Sequence, residues 1–494
     1  MNSSNSNNNT QNREFDLIIW GATGFTGKLA CAYLSNDRSK FYSYNLQNVC
    51  TSQNKKDRRT IKWAVAGRSK SKISSLLSSV SAPSSTPIFV IPSIDDANKP
   101  FIDDMVSKTK CIVSLAGPFQ LYSDSIVESC CRLGTHYVDV TGEPLWVRRC
   151  VDRGYDEMAK RSGACIVNFC GYDSIPSDIG CLFALDELEK MKEGEGGGGS
   201  TLHRKVTCYQ CVFDGGKPSM SGGTLASDVL TTNTTQSSSS SSSPTMIHPH
   251  LFSENSSNNK NKNNQFQTKA WYSKDVKSWV GPFPMEKINV PATNRSAYFL
   301  NYAASSSLNN NNSQNTFSYQ EVAVAPTQKA AMKLERLRTH PIPPSKMEQM
   351  IEQGRLPKPG QGPTPSHRSV LSFMALLVAE EEEDPNNNHE TKKRKVCVAI
   401  KGGDPGYEET SKMVIESALC LILQPNSCPG LAKGGGGFQS SAMCMGRTLI
   451  TRLQHAGIQF LKVEDAKKEV DLFWSDGMKR MMEMKEKKGP RAKL

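Results

Sequence analysis

Three evenly spaced glycines carry the clearest chemical signal in the sequence. Gly21, Gly24 and Gly27 follow the apolar segment Phe15–Trp20 directly and precede the helix-like segment Lys28–Leu34. The first glycine permits a tight turn, the second lets backbone N–H groups approach a pyrophosphate, and the third lets helix and strand pack closely. The pattern predicts a dinucleotide-binding loop made of Gly21, Ala22, Thr23, Gly24, Phe25, Thr26 and Gly27.

Two polar residues follow the second predicted strand, Lys62–Ala66. Dinucleotide-binding domains that take NAD place an acidic residue near this position for the ribose 2′-hydroxyl, whereas this chain has Arg68 and Ser69. A guanidinium group and a hydroxyl group are suited to a 2′-phosphate. The pair predicts NADP(H) as the cofactor, and the alternative is that Arg68 forms an ordinary surface ion pair.

A second candidate loop, Ala116–Phe119, follows the fourth predicted strand. Its small residues would let the cofactor diphosphate or nicotinamide ribose lie against the backbone, and its phenylalanine would wall the ring. The alternative is a packed turn with a buried phenylalanine. The predicted cofactor contacts in this loop are Ala116, Gly117, Pro118 and Phe119.

Candidate catalytic residues follow the sixth predicted strand. Tyr172 could donate a proton to a reduced substrate, and Asp173 could orient that substrate. The alternative is that Asp173 and Ser174 cap the helix that begins near Pro176. Two further carboxylates at a neighbouring turn, Asp139 and Glu143, could likewise bind ribose or substrate, or only stabilise the turn.

The order of the predicted elements tells how these loops come together. Helical segments alternate with short apolar strands, which is typical of a doubly wound parallel sheet with ligands at the carboxyl ends of its strands. The predicted strands are Phe15–Trp20, Lys62–Ala66, Pro87–Ile91, Cys111–Ala116, His136–Val140 and Cys165–Phe169.

The composition excludes several classes of protein. Hydrophobic residues make up 37% of the 494 residues, which is below the range of about 45–50% for a typical domain. Polar segments account for the low hydrophobic fraction, and we interpret these segments as disordered insertions. They occupy residues 2–12, 231–243, 253–264, 305–315 and the charged stretch 380–395.

No apolar run approaches the ~20 residues of a transmembrane helix, and the first eleven residues do not resemble a secretory signal. The 15 cysteines are too dilute for a disulfide scaffold, and no metal site is predicted from Cys208 and Cys211 or from His248 and His250. The net charge of +12 is scattered, so we expect no nucleic-acid partner. A solvated basic surface is expected, with contact to an anionic lipid surface as the alternative.

Several segments resemble the saccharopine dehydrogenase family, and more narrowly its saccharopine dehydrogenase-like oxidoreductase branch, which includes the bacterial trans-acting enoyl reductases. The match extends from Phe15 to about Val463. Its motifs are GATGFTGKL at 21–29, VAGRS at 65–69, LAGPF at 115–119, YVDVTGE at 137–143, GYDSIPSD at 171–178, SGGT at 221–224, LPKPGQGP at 356–363 and GGDPGYEET at 402–410.

The resemblance implies an α/β protein in which a second, mixed α+β domain closes over an NADP-binding Rossmann domain. The predicted divisions are a disordered tail at 1–13, the Rossmann domain at 14–182, and the second domain at 183–440 with low-complexity insertions near 231–265 and 305–315. A C-terminal helix and segment at 441–470 would return to the Rossmann domain, and a basic tail would occupy 471–494.

The function implied is hydride transfer between NADP(H) and a C=C or C=N bond of a carbonyl-bearing, lipid-like substrate. Two alternatives stay open: a saccharopine-type amino-acid dehydrogenase, and a non-catalytic NADP-binding protein associated with lipid. A cytoplasmic homodimer is expected, with peripheral contact to membranes or lipid droplets as a further alternative. The segment Gln328–Ile351 is predicted to be helical but polar, which argues against insertion into lipid.

Overall fold

The computed structural model describes residues 12–36, 61–191, 201–216, 220–237, 268–303, 316–384, 392–432 and 434–487. Most of the predicted polar insertions lie outside these ranges. The strands are β1 (Phe15–Trp20), β2 (Trp63–Gly67), β3 (Ile88–Val90), β4 (Thr109–Ser114), β5 (His136–Asp139), β6 (Cys165–Val167), β7 (Thr201–Phe213), β8 (Trp271–Ser273), β9 (Ser278–Pro282), β10 (Thr316–Ala325), β11 (Ser372–Asp384), β12 (Lys392–Gly402), β13 (Gly437–Gln439) and β14 (Gln459–Val463).

Helices connect the strands and cover both sheets. They are α1 (Phe25–Asn36), α2 (Lys70–Ser79), α3 (Lys99–Ser107), α4 (Phe119–Tyr122), α5 (Asp124–Leu133), α6 (Pro144–Asp152), α7 (Tyr155–Ser162), α8 (Ile175–Lys190), α9 (Gly222–Ser237), α10 (Glu286–Phe299), α11 (Gln328–Thr339), α12 (Pro344–Glu352), α13 (Pro365–Arg368), α14 (Thr410–Leu423), α15 (Pro429–Ala432), α16 (Ser441–His455) and α17 (Ala466–Lys487). No helix among the described residues is both long and apolar enough to span a membrane.

The first sheet is parallel throughout, in the order β13-β6-β5-β4-β1-β2-β3. Every residue of β1 is buried, because both faces of the sheet are covered. Leu17 and Ile19 belong to one apolar cluster, whereas Ile18 and Trp20 belong to a second. The chain order reverses between β1 and β4, which is where doubly wound sheets bind ligands. The predicted α/β fold is confirmed.

The second sheet is mixed, in the order β14-β12-β11-β7-β10-β9-β8. Strands β7 and β10 are parallel, and the other neighbours are antiparallel. One apolar cluster joins the two sheets, since it includes Leu17 of β1, Leu377 of β11, Ile400 of β12 and Val414 of α14. The two domains therefore share part of their core.

After β12 the chain crosses between the two sheets more than once. Helix α14 packs on α1, β4 and β5, and β13 pairs with β6, so residues from 410 onwards already contribute to the first domain. Strand β14 then pairs with β12 of the second sheet. A three-residue strand such as β13 leaves too short a pattern to be recognised from sequence.

Two charged segments contain regular structure. The expected basic tail is helical up to Lys487, and Val470 and Phe473 anchor α17 on the second sheet. Of the charged stretch 380–395, expected to be disordered, residues 380–384 and 392–395 form the distal arms of β11 and β12, with Glu380 opposite Lys395 and Glu382 opposite Lys393. The acidic run meets the basic run across the strands, which neutralises both.

Candidate functional site

The carboxyl ends of the parallel strands form one edge of the first sheet, which we call the carboxyl edge. The loops after β1, β2, β4, β5 and β6 all end there. All predicted cofactor-binding and catalytic residues lie on these loops, so the topology brings them to one side of the molecule. Two of the predicted strands end two residues earlier than expected: β4 ends at Ser114, and β6 ends at Val167.

The glycine loop leaves no room for side chains at two positions. A Cβ atom on Gly21, which has a φ of +81°, would lie 2.7 Å from the backbone nitrogen of Ala116. A Cβ atom on Gly27 would lie 2.4 Å from the carbonyl oxygen of Gly21. The turn is therefore tight, and α1 begins at Phe25 close to the end of β1. The N-terminus of this helix at the carboxyl edge fits a dinucleotide diphosphate.

Arg68 and Ser69 lie at the end of β2, next to the start of α2. The side chain of Ser69 caps α2, accepting a hydrogen bond from the backbone N–H of Lys72 at 3.5 Å. The Arg68 guanidinium lies over the ring of Tyr122, with 5.4 Å between its Cζ atom and the ring centroid. Within the part of the chain that the structure describes, Arg68 forms no ion pair, so the surface-pair alternative finds no support.

The Ala116–Phe119 loop is held from the side of β5. The Glu143 carboxylate is buried and accepts the backbone N–H groups of Phe119 and Gln120 at 2.8 and 3.0 Å. The Phe119 ring is 5% exposed and packs against Trp146 in the core, as the packed-turn alternative predicted. The Phe119 side chain is thus a core residue, and its backbone belongs to the loop.

Asp139 links the two loops that follow β5 and β6 at the same edge. Its carboxylate accepts hydrogen bonds from the backbone N–H groups of Thr141 and Phe169, both at 3.1 Å, and from the Asn168 amide at 2.7 Å. Phe169 has a φ of +63°, a left-handed conformation that a side chain disfavours, so this carboxylate fixes a strained backbone. Burial raises the pKa of Asp139 to about 7, against the opposing effect of its donors.

Tyr172 is buried between the domains. Its hydroxyl donates to the Gln210 side-chain oxygen at 3.3 Å, and its ring lies 4.8 Å from that of Phe373. Burial raises its pKa well above the usual range. Asp173 is only partly buried. The predicted capping by Ser174 is not observed, because its hydroxyl donates to Asn289 instead of accepting from α8.

A buried polar cluster lies beyond Tyr172, and the sequence analysis did not find it. The Glu321 carboxylate accepts hydrogen bonds from Ser177 at 2.6 Å, Gln210 at 2.7 Å and Asn289 at 2.8 Å. Its burial raises the pKa of this carboxyl. The donors lie on α8, β7 and α10, so the carboxylate connects elements that are far apart in sequence. A single glutamate in an apolar strand gives no signal that would predict this.

The second domain covers the glycine loop. The Phe25 ring lies edge-on to Tyr407 at 4.7 Å between centroids, and the Arg368 guanidinium lies 5.7 Å from its centre. A Cβ atom on Gly362 would lie 2.7 Å from the same ring. We call Gly362, Arg368 and Tyr407 the roof. The Tyr407 hydroxyl accepts the backbone N–H of Ser221, so four motifs from the sequence analysis meet here, those at 21–29, 221–224, 356–363 and 402–410.

Metal binding finds no support among the described residues, which contain no cluster of three or more potential ligands. Cys208 and Cys211 are buried on β7, and their pKa values are raised by burial. His248 and His250 lie outside the described residues.

Comparison with known proteins identifies the first domain. Residues 17–164 match the family model of the saccharopine dehydrogenase NADP-binding domain. This part of the chain is similar to saccharopine dehydrogenase NADP-binding domains. The match covers the glycine loop, Arg68 and the loops after β4 and β5, and it ends one residue before β6. The predicted cofactor, NADP(H), is confirmed with it.

Full-length relatives resemble the whole chain. A Mycobacterium tuberculosis protein named as a trans-acting enoyl reductase is 27% identical over 460 residues, which cover 90% of this chain and 97% of the relative. A saccharopine dehydrogenase-like oxidoreductase of Bos taurus is 23% identical over 474 residues, covering 91% and 98%. A lipid droplet localized protein of Caenorhabditis elegans is 29% identical over 171 residues, covering 34% and 36%.

These relatives confirm the predicted resemblance to saccharopine dehydrogenase-like oxidoreductases. Together with the saccharopine dehydrogenase NADP-binding domain, they indicate an NAD(P)-dependent oxidoreductase. The names of the relatives differ in what they say of reaction and location, so the substrate is a separate question.

Proposed function

We propose that the protein transfers hydride between NADP(H) and a C=C or C=N bond of a carbonyl-bearing, lipid-like substrate. The proposal rests on the contact between the glycine loop and the roof, because the second domain packs directly on the cofactor-binding loop. The bound cofactor supplies the hydride, and the protein supplies position and exclusion of water.

Each predicted cofactor contact has a distinct task in this proposal. The backbone of Gly21 to Gly27 and the N-terminus of α1 hold the diphosphate. Arg68 and the Ser69 hydroxyl hold the 2′-phosphate, and the backbone from Ala116 to Phe119 lies against the nicotinamide ribose. The carboxylates of Asp139 and Glu143 keep these loops in place and do not need to contact the ligand.

Of the two candidate catalytic residues, Asp173 is better placed to orient a substrate, because it is partly exposed beside the carboxyl edge. Tyr172 can donate its proton to a substrate only if the hydroxyl leaves Gln210. We therefore expect Asp173→Asn to lower the rate of NADPH oxidation more than Tyr172→Phe does. Steady-state rates with the substrate found by the panel described below test this order, and the reverse order would favour Tyr172 as the proton donor.

The cofactor assignment predicts that the protein binds NADPH more tightly than NADH. It also predicts that Arg68→Ala reduces the difference between the two affinities. Loss of one charge-assisted contact to a phosphate costs about 1.5–3 kcal/mol, or roughly 10-fold to 150-fold in NADPH affinity. Isothermal titration with both cofactors measures this. Arg132→Ala is the matched control, because Arg132 ends α5 and pairs with Asp103. Equal affinities of the wild-type protein for both cofactors would overturn the assignment of Arg68.

The substrate class is tested by the oxidation of NADPH in the presence of enoyl thioesters, α,β-unsaturated lipids and mixtures of amino acids with 2-oxo acids. Turnover of the unsaturated substrates supports the proposal. Turnover of the amino-acid mixtures identifies a saccharopine-type dehydrogenase, and cofactor binding without any turnover identifies a non-catalytic protein. Mass spectrometry of co-purifying ligands would reveal an acyl or amino-acid partner independently.

Peripheral contact with an anionic lipid surface is the second part of the proposal, and one helix face supports it. Lys329, Met332, Lys333, Arg336 and Leu337 follow the spacing of one side of α11, and all five are exposed. We call them the α11 face. It carries no carboxylate, and Glu335 is turned inward to accept the backbone N–H of Ala270 at 2.7 Å. Cations with apolar side chains between them suit the headgroup layer of a membrane or lipid droplet.

Sedimentation with vesicles tests this contact. We expect binding to vesicles of phosphatidylcholine with phosphatidylserine, and little binding to phosphatidylcholine alone. The change Lys333→Glu with Arg336→Glu should reduce the bound fraction. Lys462→Glu with Lys468→Glu makes the same charge change at the other end of the second sheet and should leave binding intact. Equal losses of vesicle binding in the two double variants would show that binding depends on net charge and not on the α11 face. We also propose a cytoplasmic homodimer. Light scattering of the protein without vesicles tests the homodimer, and fractionation of cells tests the location.

A further inference from the structure

The contact between Arg68 and Tyr122 joins two loops of the carboxyl edge. Arg68 follows β2, and Tyr122 ends the short helix α4 in the loop after β4. Because β1 lies between β2 and β4 in the sheet, the loop after β4 must cross the end of β1 to reach the arginine. The stacked pair therefore stands where the ribose next to the adenine is bound in a doubly wound sheet.

The backbone of Tyr122 is fixed from two sides. Its carbonyl accepts the indole N–H of Trp20, the last residue of β1, at 3.0 Å. Its N–H donates to the Pro118 carbonyl at 3.2 Å, and the Glu143 carboxylate accepts the first N–H groups of the same helix. The ring of Tyr122 thus stands on a rigid support, whereas the Arg68 side chain is exposed.

An exposed arginine samples many rotamers, and ordering it on a phosphate lowers the affinity gained from the contact. A guanidinium group stacked on an aromatic ring keeps its N–H donors free in the plane and loses fewer rotamers when a phosphate binds. The ring can therefore strengthen a phosphate contact that it does not itself make.

We propose that Tyr122 is a positioning residue for cofactor selectivity: its ring holds the Arg68 guanidinium ready for the 2′-phosphate of NADP(H). This inference rests on the proposed role of Arg68. It assigns to Tyr122 no contact with the phosphate and no part in hydride transfer. The preference for NADPH over NADH then depends on the ring, and not on the tyrosine hydroxyl.

Titrations of the full-length protein with NADPH and with NADH test the proposal in four variants: Tyr122→Leu, Tyr122→Phe, Arg68→Ala, and Tyr122→Leu with Arg68→Ala. We expect Tyr122→Leu to weaken NADPH binding by about twofold to fivefold, the size of an exposed cation–π contact. NADH binding should be unchanged, and Tyr122→Phe should match the wild type. Tyr122→Leu should have no further effect when Arg68 is already absent.

The outcomes separate this inference from the one on which it rests. If Arg68→Ala leaves the preference for NADPH intact, the proposed role of Arg68 fails. If Arg68→Ala removes the preference but Tyr122→Leu does not change it, only the positioning role fails. An equal loss of NADPH and NADH affinity in Tyr122→Leu also overturns it, since the ring would then bind adenine or hold the loop. Thermal unfolding of each variant shows whether the fold is retained.

Discussion

At the scale of single residues, buried carboxylates fix the loops of the carboxyl edge. Asp139 and Glu143 both accept backbone N–H groups from a neighbouring loop, and neither is more than 2% exposed. A buried carboxylate loses hydration, and its hydrogen bonds must offset that loss. The sequence left open whether these side chains bind a ligand or stabilise a turn, and their partners favour the second role.

Asp139 predicts a dependence of stability on pH. Its pKa rises from 3.8 in the unfolded chain to about 7 in the folded one. The fold therefore favours the protonated carboxyl, so its contribution to stability is present at low pH and is lost as the pH rises from about 4 to about 7. We expect Asp139→Asn to reduce the fall in melting temperature over this range, because the amide does not titrate. The Asn168 side chain can turn so that its oxygen accepts from the new amide.

Melting temperatures of the two proteins between pH 4.5 and 8, taken at roughly half-unit steps, measure this difference. Asp214→Asn is the control, since Asp214 is exposed and accepts the N–H of Gly216 in a turn. A pH profile of Asp139→Asn that runs parallel to the wild type would show that Asp139 does not titrate in this range.

Glu143 gives a prediction about the cofactor loop. Glu143→Gln replaces one accepting oxygen by an amide donor, so either Phe119 or Gln120 loses its partner. An unsatisfied buried group costs about 1–3 kcal/mol in the free energy of unfolding. Urea denaturation measures that loss. Binding of both NADPH and NADH should weaken together, in contrast to the selective effect expected at Tyr122; unchanged binding would mean that the loop does not depend on this cap.

At the scale of elements, the charged arms of the β11–β12 hairpin form strands, although their composition is typical of a disordered segment. The Glu381 carboxylate is fully buried and accepts Arg204 at 2.8 Å and Arg394 at 2.9 Å. Arg204 also pairs with Glu189. The acidic and basic runs are thus complementary arms of one hairpin, whereas each run alone has the composition of a disordered segment.

Removal of the central carboxylate should destabilise this hairpin. Glu381→Gln removes the negative charge that pairs with the guanidinium groups of Arg204 and Arg394. We therefore expect a loss of about 3 kcal/mol in the free energy of unfolding. Glu382→Gln is the matched control, because Glu382 lies next in the strand and its ion pair with Lys393 is exposed. Urea denaturation should show a shifted midpoint for the first variant and an unchanged midpoint for the second. Equal midpoints would mean that the buried network contributes nothing to stability.

At the scale of the whole molecule, the two domains are interleaved rather than arranged one after the other. Helix α14 covers part of the first sheet, and β13 completes its edge, although both lie in sequence between β12 and β14 of the second sheet. The Asp178 carboxylate on α8 accepts the Ser441 hydroxyl and the Ala442 N–H at the start of α16. The NADP-binding domain therefore depends on the C-terminal part of the chain.

This interleaving predicts that the first domain does not fold by itself. A fragment of residues 12–191 lacks α14 and β13 and would expose the apolar residues that pack against Val414, Ala418 and Leu421. We expect it to bind a hydrophobic dye, to unfold without a cooperative transition and not to bind NADPH. The full chain should unfold in one transition by circular dichroism and fluorescence. A fragment with a sharp transition and wild-type NADPH affinity would contradict the shared core.

The sequence alone determined the parts that depend on local pattern. The glycine loop, Arg68, Ser69 and the alternation of strands and helices up to β6 follow from steric rules and from the period of apolar residues, which act over a few neighbouring positions. For the same reason the first domain, its NADP cofactor and the family resemblance follow from the order of the amino acids.

Only the tertiary structure decided which of these residues meet. The roof over Phe25, the cluster around Glu321 and the burial of Tyr172 join positions that are distant in the chain, and no local pattern records such contacts. The same holds for β13, which is three residues long, and for the charged hairpin arms, which are stable only as a pair. Long-range pairing depends on burial and complementary charge, and these exist only once the chain has folded.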